Sequence, residues 1–220
     1  MNTGLLCCET IRNELNTVFA ETGISFPCRW VESGLHNHPN LLTEKLQETL
    51  YEMTDYDRII LCFGYCGNSL LGLHSERSEL IYPRVDDCIS LFIGGTRKRA
   101  ALCADCPTYY MTKGWLDGER NLWEEYKYTM KKYGPDTGKM IYNSMMGHYK
   151  VLGILDTGGY AVDEVKGTTQ MIADTLGLEL RIQEASTEYL KQLITGPWPE
   201  DKFVVIPPGK IIGADDLMVP

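Results

Sequence analysis

The sequence predicts a doubly wound α/β fold, a Rossmann-like arrangement in which a mostly parallel sheet carries helices on both faces. Short apolar runs alternate several times with longer amphipathic stretches, as strands alternate with helices in such folds. Strands separated by helices of this length usually form a parallel sheet that is covered on both sides. A chain of 220 residues suffices for one such domain. We therefore expect a single α/β domain over residues 1–220, with a helical insertion at about 97–148.

The first part of the chain contains four predicted strands, each leading towards a helical segment. Gly4 to Cys8 is a short strand candidate, and the helix that follows from Glu9 to Thr22 has apolar residues at helical spacing. The other three pairs follow in order: strand Ser25 to Val31 and a helix from about Asn40 to Thr54, strand Arg58 to Phe63 and a helix-like run through Leu70, Leu71 and Leu73, and strand Glu79 to Tyr82 and a helix from near Cys88 to Gly94.

The middle third is less regular, and the alternation then resumes. A helix from Leu116 to Tyr133 is predicted by its apolar spacing and ends at Gly134-Pro135, and a second helix covers Lys139 to Met146. The remaining predicted elements are strand Lys150 to Leu155, helix Val162 to Leu176, strand Leu178 to Ile182, helix Ser186 to Thr195 and strand Phe203 to Ile206.

The composition excludes several classes of protein. The chain has 21 basic and 30 acidic residues, a net charge of −9, which repels a nucleic-acid backbone. No apolar segment is long enough to span a bilayer, so no membrane partner is expected. Residues Met1 to Cys8 lack the basic start of a signal peptide. We therefore expect a cytoplasmic protein.

Eight cysteines are the main chemical clue. In a reducing compartment they are expected to be thiols or metal ligands instead of disulfides. A single cysteine such as Cys28 or Cys62 is equally explained as a small buried apolar residue. The pair Cys103 and Cys106 has the spacing of a zinc half-site or a redox pair, but no second pair accompanies it.

Several other reactive side chains follow the predicted strands directly. In an open parallel sheet the ligand site lies beyond the carboxyl ends of the strands, so we expect these side chains to share one pocket. A thiol at a helix N-terminus has a lowered pKa, which predicts a thiolate at Cys88. The residues at the strand ends are Cys8 with Glu9, His36, Cys66, Asp87 with Cys88, and Asp156.

Thiolate and imidazole together are ligands of zinc. His36, Cys66 and Cys88, with Cys8 or Glu9 as a fourth group, make a chemically sensible zinc site that only the fold could assemble. Two alternatives remain open at this point. Four thiolates could hold an iron–sulfur cluster, or the residues could be a catalytic thiol with a structural neighbour, or simply small buried side chains.

Five ordered motifs resemble a known family. They are Cys8-Glu9, Gly34-Leu35-His36 with Pro39, Gly64-Tyr65-Cys66-Gly67, Pro83-Arg84-x-Asp86-Asp87-Cys88-Ile89, and Tyr109-Tyr110-Met111-Thr112-Lys113-Gly114-Trp115. Together they resemble the bacterial and archaeal domain-of-unknown-function family sixteen thirty-eight, from Leu5 to about Pro208. Members of that family are often found beside corrinoid-dependent methyltransferases for methylamines. The resemblance therefore implies a role in anaerobic one-carbon metabolism, with a corrinoid protein or such a methyltransferase as partner.

This association suggests a zinc-dependent methyl transfer, or the handling of a corrinoid or its methylated carrier. Glu9 and Asp87 would then orient His36 or move a proton. Tyr109, Tyr110 and Trp115 would form an apolar wall or stack on a flat cofactor, and the resemblance adds Thr112 to this set. The alternatives are a non-catalytic accessory protein that binds a metal or a tetrapyrrole, and an iron–sulfur protein that reactivates an oxidised corrinoid.

Overall fold

The computed structural model describes residues 1–218 and places their strands in two sheets. The larger sheet has the order β2-β1-β3-β4-β8, with β8 antiparallel to β4 and the other pairs parallel. The smaller sheet is wholly parallel, in the order β5-β6-β7. The strands are β1 (Thr3–Cys8), β2 (Cys28–Val31), β3 (Arg58–Cys62), β4 (Glu79–Pro83), β5 (Thr108–Met111), β6 (Val151–Asp156), β7 (Glu179–Glu184) and β8 (Phe203–Ile206).

The predicted α/β fold with a mostly parallel sheet is confirmed. The helices that cover the sheets are α1 (Arg12–Thr22), α2 (Pro39–Glu52), α3 (Cys88–Ile93), α4 (Thr96–Asp105), α5 (Lys113–Asp117), α6 (Leu122–Tyr133), α7 (Pro135–Met146), α8 (Asp163–Leu176) and α9 (Glu188–Thr195). Short 3₁₀ helices span Glu9–Ile11, Ser33–Asn37 and Ala214–Leu217. Within residues 1–218, none of the helices has the length and hydropathy needed to cross a membrane.

Three local predictions were wrong, and each has a physical reason. The region predicted as a helical insertion contains β5, whose four residues are too few to show a strand periodicity. The predicted helix from Leu116 to Tyr133 is broken into α5 and α6, because Asn121 caps the backbone N–H groups that begin α6 at 2.9 and 3.0 Å. The run from Leu70 to Leu73 forms turns, with left-handed Gly72 (φ 88°) inside it.

Alternate residues of β1 face opposite sides of the larger sheet, and each side has its own core. Leu5 and Cys7 pack on the side covered by α1, α3 and α9, whereas Leu6 and Cys8 pack on the side covered by α2. A third core joins the smaller sheet to its own helices. The carboxyl end of β1 therefore lies where the two cores of the larger sheet meet.

Close backbone contacts hold the smaller sheet against α1 and the turn before it. A Cβ atom on Gly114 would lie 1.9 Å from the Thr10 carbonyl oxygen, so only glycine permits α5 to approach this closely. The buried Glu14 carboxyl accepts a hydrogen bond from the Thr157 hydroxyl at 3.0 Å. Its second oxygen has no hydrogen-bond partner among the described residues. Burial raises the pKa of Glu14, so this carboxyl favours its neutral form.

Candidate functional site

The candidate site lies at the carboxyl edge of the larger sheet, where the chain changes direction. From β1 the chain passes to β2 on one side and later to β3 on the other, which is the topological position where α/β proteins bind ligands. Cys8 ends β1, and Cys66 lies in the loop after β3. His36 lies in the 3₁₀ helix after β2, and Cys88 begins α3 after β4. We call these four side chains the thiol–imidazole cluster.

A close contact between two loops brings Cys66 towards Cys88. A Cβ atom on Gly64 would lie 2.4 Å from the Asp87 Cα atom, so a glycine is required where the loop after β3 crosses the loop after β4. The Cys66 N–H donates to the Asp86 carbonyl at 2.7 Å and fixes this contact. Cys66 itself is left-handed, with φ 44°, a conformation that costs a non-glycine residue about 1–3 kcal/mol. The fold therefore holds this thiol in an unfavourable backbone conformation.

The unprotonated ring nitrogen of His36 accepts a long hydrogen bond from the thiol of Cys8. Its Nδ1 atom lies 3.0 Å from the carbonyl oxygen of Ser33, which can only accept a hydrogen bond. Nδ1 must therefore carry the proton, which leaves the lone pair on Nε2, 3.8 Å from the Cys8 Sγ atom. Burial lowers the pKa of His36 and so favours this neutral ring. A backbone carbonyl that orients the ring in this way is a common partner of metal-binding histidines.

Two further side chains connect the thiols. The Cys8 Sγ atom lies 3.0 Å from the Thr10 hydroxyl, and that hydroxyl donates to the Cys88 Sγ atom at 3.9 Å. The Trp115 indole N–H donates to Cys88 at 3.2 Å, and its ring meets the His36 ring edge-on at 5.8 Å. An N–H donor at this distance stabilises a thiolate more than a thiol.

In the absence of a bound metal, the surroundings of the cluster favour protonated thiols. Burial raises the pKa of Cys8 to about 11. Burial also raises the pKa of Cys66 and of Cys88, and the charge of neighbouring Asp87 raises both further. The prediction that the helix dipole makes Cys88 a thiolate was wrong. Helix α3 has only six residues, and burial of Cys88 outweighs the dipole of so short a helix.

The structure gives the predicted carboxylates other partners than His36. Asp87 is the N-cap of α3, where one oxygen accepts from the Ser90 N–H at 2.9 Å and the other pairs with Arg99. Glu9 is exposed and pairs with Arg12 at 3.3 Å. The Ser33 carbonyl therefore orients His36, instead of Glu9 or Asp87. Asp87 acts on the cluster through its charge.

The tyrosine-rich segment divides between the two sides of β5. Tyr109 faces the core of the smaller sheet, edge-on to Tyr149 at 5.5 Å, and Tyr110 faces the core shared with α1 and α3. Thr112 caps α5 by accepting from the Trp115 N–H at 3.4 Å. Of the four residues predicted to contact a cofactor, only Trp115 has a hydrogen bond to a member of the cluster.

An open cleft of about 780 Å³ adjoins the loops that carry the cluster. None of the four cluster side chains lines it. The residues that flank them in sequence do, since Glu9 follows Cys8, Leu35 precedes His36 and Gly114 precedes Trp115. The cleft is large enough for a small organic substrate.

The donor atoms of the cluster are near one another but are not arranged around a common point. Within residues 1–218, no set of three or more His, Cys, Asp or Glu side chains stands in a position to hold a metal ion. The residue types nevertheless fit zinc, because the cluster provides three thiols and an imidazole whose free nitrogen already faces a thiol. Metal binding would require the thiols to rotate and to lose their protons.

Thr10, Ser33 and Arg99 belong to the site and had no signal in the sequence. Thr10 bridges two thiols and Ser33 acts through its backbone carbonyl, so neither has a motif that a scan could find. Arg99 lies in a run of basic residues that is typical of exposed surface. Its pairing with Asp87 depends on the packing of α4 against α3.

Comparison with protein-family profiles matches residues 30–194 to the family described as "Protein of unknown function (DUF1638)". The chain belongs to this family. The matched segment covers most of the chain and includes His36, Cys66, Cys88 and the segment from Tyr109 to Trp115, whereas Cys8 and Glu9 precede it. Neither a search of curated proteins nor a search of solved structures gave a significant match.

Proposed function

We propose that the thiol–imidazole cluster binds a metal ion, for which zinc is the best chemical fit, and that this site serves methyl transfer or the handling of a corrinoid. The observation that carries the proposal is the orientation of His36. Its Nδ1 proton is held by the Ser33 carbonyl and its free Nε2 atom faces the Cys8 thiol. This geometry directs an unprotonated imidazole nitrogen at a thiol, and these are two of the ligand types of zinc.

Cys8, His36, Cys66 and Cys88 would hold the metal, and bound zinc would keep thiols ionised at neutral pH, which the buried site alone does not. The protein contributes the rest of the chemistry. Trp115 donates its indole N–H to Cys88 and covers one side of the His36 ring, so it would stabilise the thiolate and exclude water. Arg99 pairs with Asp87 and would offset part of the carboxylate charge beside the same thiol.

The adjoining cleft supports a role beyond a purely structural metal. Four carboxylates and two guanidinium groups line it, so its charge is net negative at neutral pH. One of the two guanidinium groups, that of Arg12, is already paired with Glu9 and lies over the Trp30 ring at 3.9 Å. A cleft of this charge favours a neutral or cationic substrate, and the methylated amines implied by the family resemblance have that charge.

Metal analysis tests the first half of the proposal. The protein would be purified without a metal-affinity column, and one zinc ion per chain is expected. Cys66→Ser and Cys88→Ser should each remove most of the metal. Cys103→Ser and Cys106→Ser are matched controls, because these thiols lie on α4 and at its end and should leave the metal content unchanged. Equal loss in all four variants would show that the wrong cysteines were chosen.

Turnover tests the second half. Zinc-loaded protein would be incubated with methylcobalamin and a small thiol, and demethylation would be followed by the change in cobalamin absorbance. Metal-dependent turnover that is lost in Cys88→Ser supports methyl transfer. Tight metal binding without turnover supports the accessory role. A brown protein with visible absorbance after anaerobic purification would indicate an iron–sulfur cluster instead of zinc. The site supplies only three thiols for such a cluster.

A further inference from the structure

A second group of thiols lies on the opposite side of the larger sheet from Cys8. In the register of β1 and β3, Cys7 is directly opposite Cys62. Cys28 is opposite Leu5 in the neighbouring strand β2, two residues from Cys7 and therefore on the same side of the sheet. All three belong to the core under α1 and α9, whereas Cys8 belongs to the opposite core. Three adjacent strands thus place three thiols on one side of the sheet, with Cys28 two residues out of register with Cys7, and the proposed metal site uses none of them.

The three thiols differ in their access to solvent. Cys7 and Cys62 are fully buried, at 0% and 1% exposure. Cys28 is only partly buried, because it begins β2, the four-residue strand at the edge of the sheet. A small oxidant from solvent therefore meets Cys28 first, with Cys7 behind it.

The surroundings of Cys28 favour its ionised form. The neighbouring Cys7 thiol and the charge of the Arg12 guanidinium lower the pKa of Cys28 and outweigh its partial burial, whereas full burial raises the pKa of Cys7. As a neutral thiol, Cys28 donates to the Phe26 carbonyl at 3.3 Å, and this contact is lost on ionisation. Cys28 is therefore unlike the thiols of the metal cluster, where burial raises the pKa.

We propose that Cys28 and Cys7 form an oxidation site, in which Cys28 reacts with a hydroperoxide and Cys7 resolves the product as a disulfide. The placement of a partly exposed thiol beside a buried one at the sheet edge carries this proposal. It does not use the metal cluster, since neither Cys28 nor Cys7 is one of its four side chains. Cys8 packs in the opposite core, whereas Cys88 packs in the same core as Cys7.

The two steps balance with one hydroperoxide as the oxidant. The Cys28 thiolate attacks one peroxide oxygen, so that an S–O bond forms, the O–O bond breaks and the departing alkoxide or hydroxide takes up a proton. The sulfur is oxidised by two electrons and the peroxide is reduced. The Cys7 sulfur then attacks the Cys28 sulfenic acid, an S–S bond replaces the S–O bond, and the Cys7 proton leaves with the hydroxide as water. Cys28 lies opposite Leu5, so closing the disulfide requires a local movement of the edge strand β2 along β1 that brings Cys28 towards Cys7.

The test is peptide mapping of the whole protein after treatment with limiting hydrogen peroxide. In the wild-type chain, Cys28 should be the first cysteine to lose its free thiol, and a Cys7–Cys28 linkage that dithiothreitol reverses should accumulate. Because a lowered pKa increases the thiolate fraction of Cys28, its free thiol should be lost several-fold faster than those of Cys103 and Cys106. This measurement needs no variant and cannot be confused with a folding defect.

Variants then separate the two roles. Cys28→Ser should abolish the fast phase of thiol loss. Cys7→Ala should leave the fast phase in place but trap the sulfenic acid on Cys28, where dimedone labels it. Cys62→Ser is the matched control within the same core and should still form the Cys7–Cys28 linkage. Oxidation that begins at Cys103 or Cys106, or that carries Cys28 to a sulfinic acid without any linkage to Cys7, would overturn the proposal. Zinc content measured on the same samples keeps this result separate from the metal proposal.

Discussion

The contact between Gly114 and Thr10 should decide whether the second sheet can complete the site. In Gly114→Ala the new methyl group would lie 1.9 Å from the Thr10 carbonyl oxygen and 2.6 Å from its carbonyl carbon. Both contacts are with backbone, so no side chain can rotate away. Ordinary contact needs about 3.5 Å, so α5 would have to retreat by about 1.5 Å. The next residue is Trp115, whose 3.2 Å hydrogen bond to Cys88 would then be too long to persist.

The cost combines overpacking with the lost hydrogen bond, and we expect Gly114→Ala to lower the free energy of unfolding by about 2–4 kcal/mol. Urea unfolding followed by tryptophan fluorescence would measure it, and a competition assay would show weaker zinc binding. Gly167→Ala is the matched control. It lies exposed inside α8 with no atom within 4 Å of the new methyl group, so it should gain up to about 1 kcal/mol from helix propensity. A Gly114→Ala protein with wild-type stability and zinc affinity would refute the claim that α5 is held at this distance.

Three further outcomes are expected. Arg99→Ala removes the cation beside the carboxylate that caps α3, so zinc affinity at neutral pH should fall about two- to fivefold in a competition assay. Arg97 is exposed, so Arg97→Ala should leave the zinc affinity unchanged. Trp115→Phe removes the N–H donor to Cys88 and keeps the ring, and isothermal titration should show about five- to tenfold weaker zinc binding. Because burial raises the pKa of Glu14, the folded chain keeps a proton that the unfolded chain has lost, and stability should fall as the pH rises above about 4.5. Glu14→Gln should flatten that fall in urea unfolding curves measured from about pH 4.5 upwards, and a parallel fall in both proteins would assign it to other groups.

Metal binding should also depend steeply on pH. The thiols of Cys8, Cys66 and Cys88 have raised pKa values, so each must release a proton when it binds zinc. Affinity should therefore increase as the pH rises from about 6 to 8, with more than one proton released per ion. Titration in buffers of different ionisation enthalpy would count these protons. A pH-independent affinity would mean that the buried thiols are not the ligands.

The sequence determined the fold class and the positions of the chemically important residues along the chain. Apolar runs such as Arg58 to Phe63 and amphipathic runs such as Val162 to Leu176 lie close to β3 and α8, because burial on a sheet or on one helix face constrains the local pattern. The strand-end rule then selected Cys8 and Cys66, since parallel strands direct their carboxyl ends to one edge.

Tertiary packing determined the sheet pairing, the protonation of Cys88 and the tautomer of His36, none of which follows from the local sequence pattern. The division into two sheets depends on pairing between β5 and β6, which are about forty residues apart in sequence, and no local periodicity records such a pairing. The protonation of Cys88 depends on its burial and on Asp87, which outweigh the dipole that its position at a helix start suggested. The tautomer of His36 depends on a backbone carbonyl that any residue at position 33 would supply. Sequence determines which groups are present and near which strand end they lie, whereas the dielectric and the hydrogen-bond partners that set their reactivity exist only once the chain has folded.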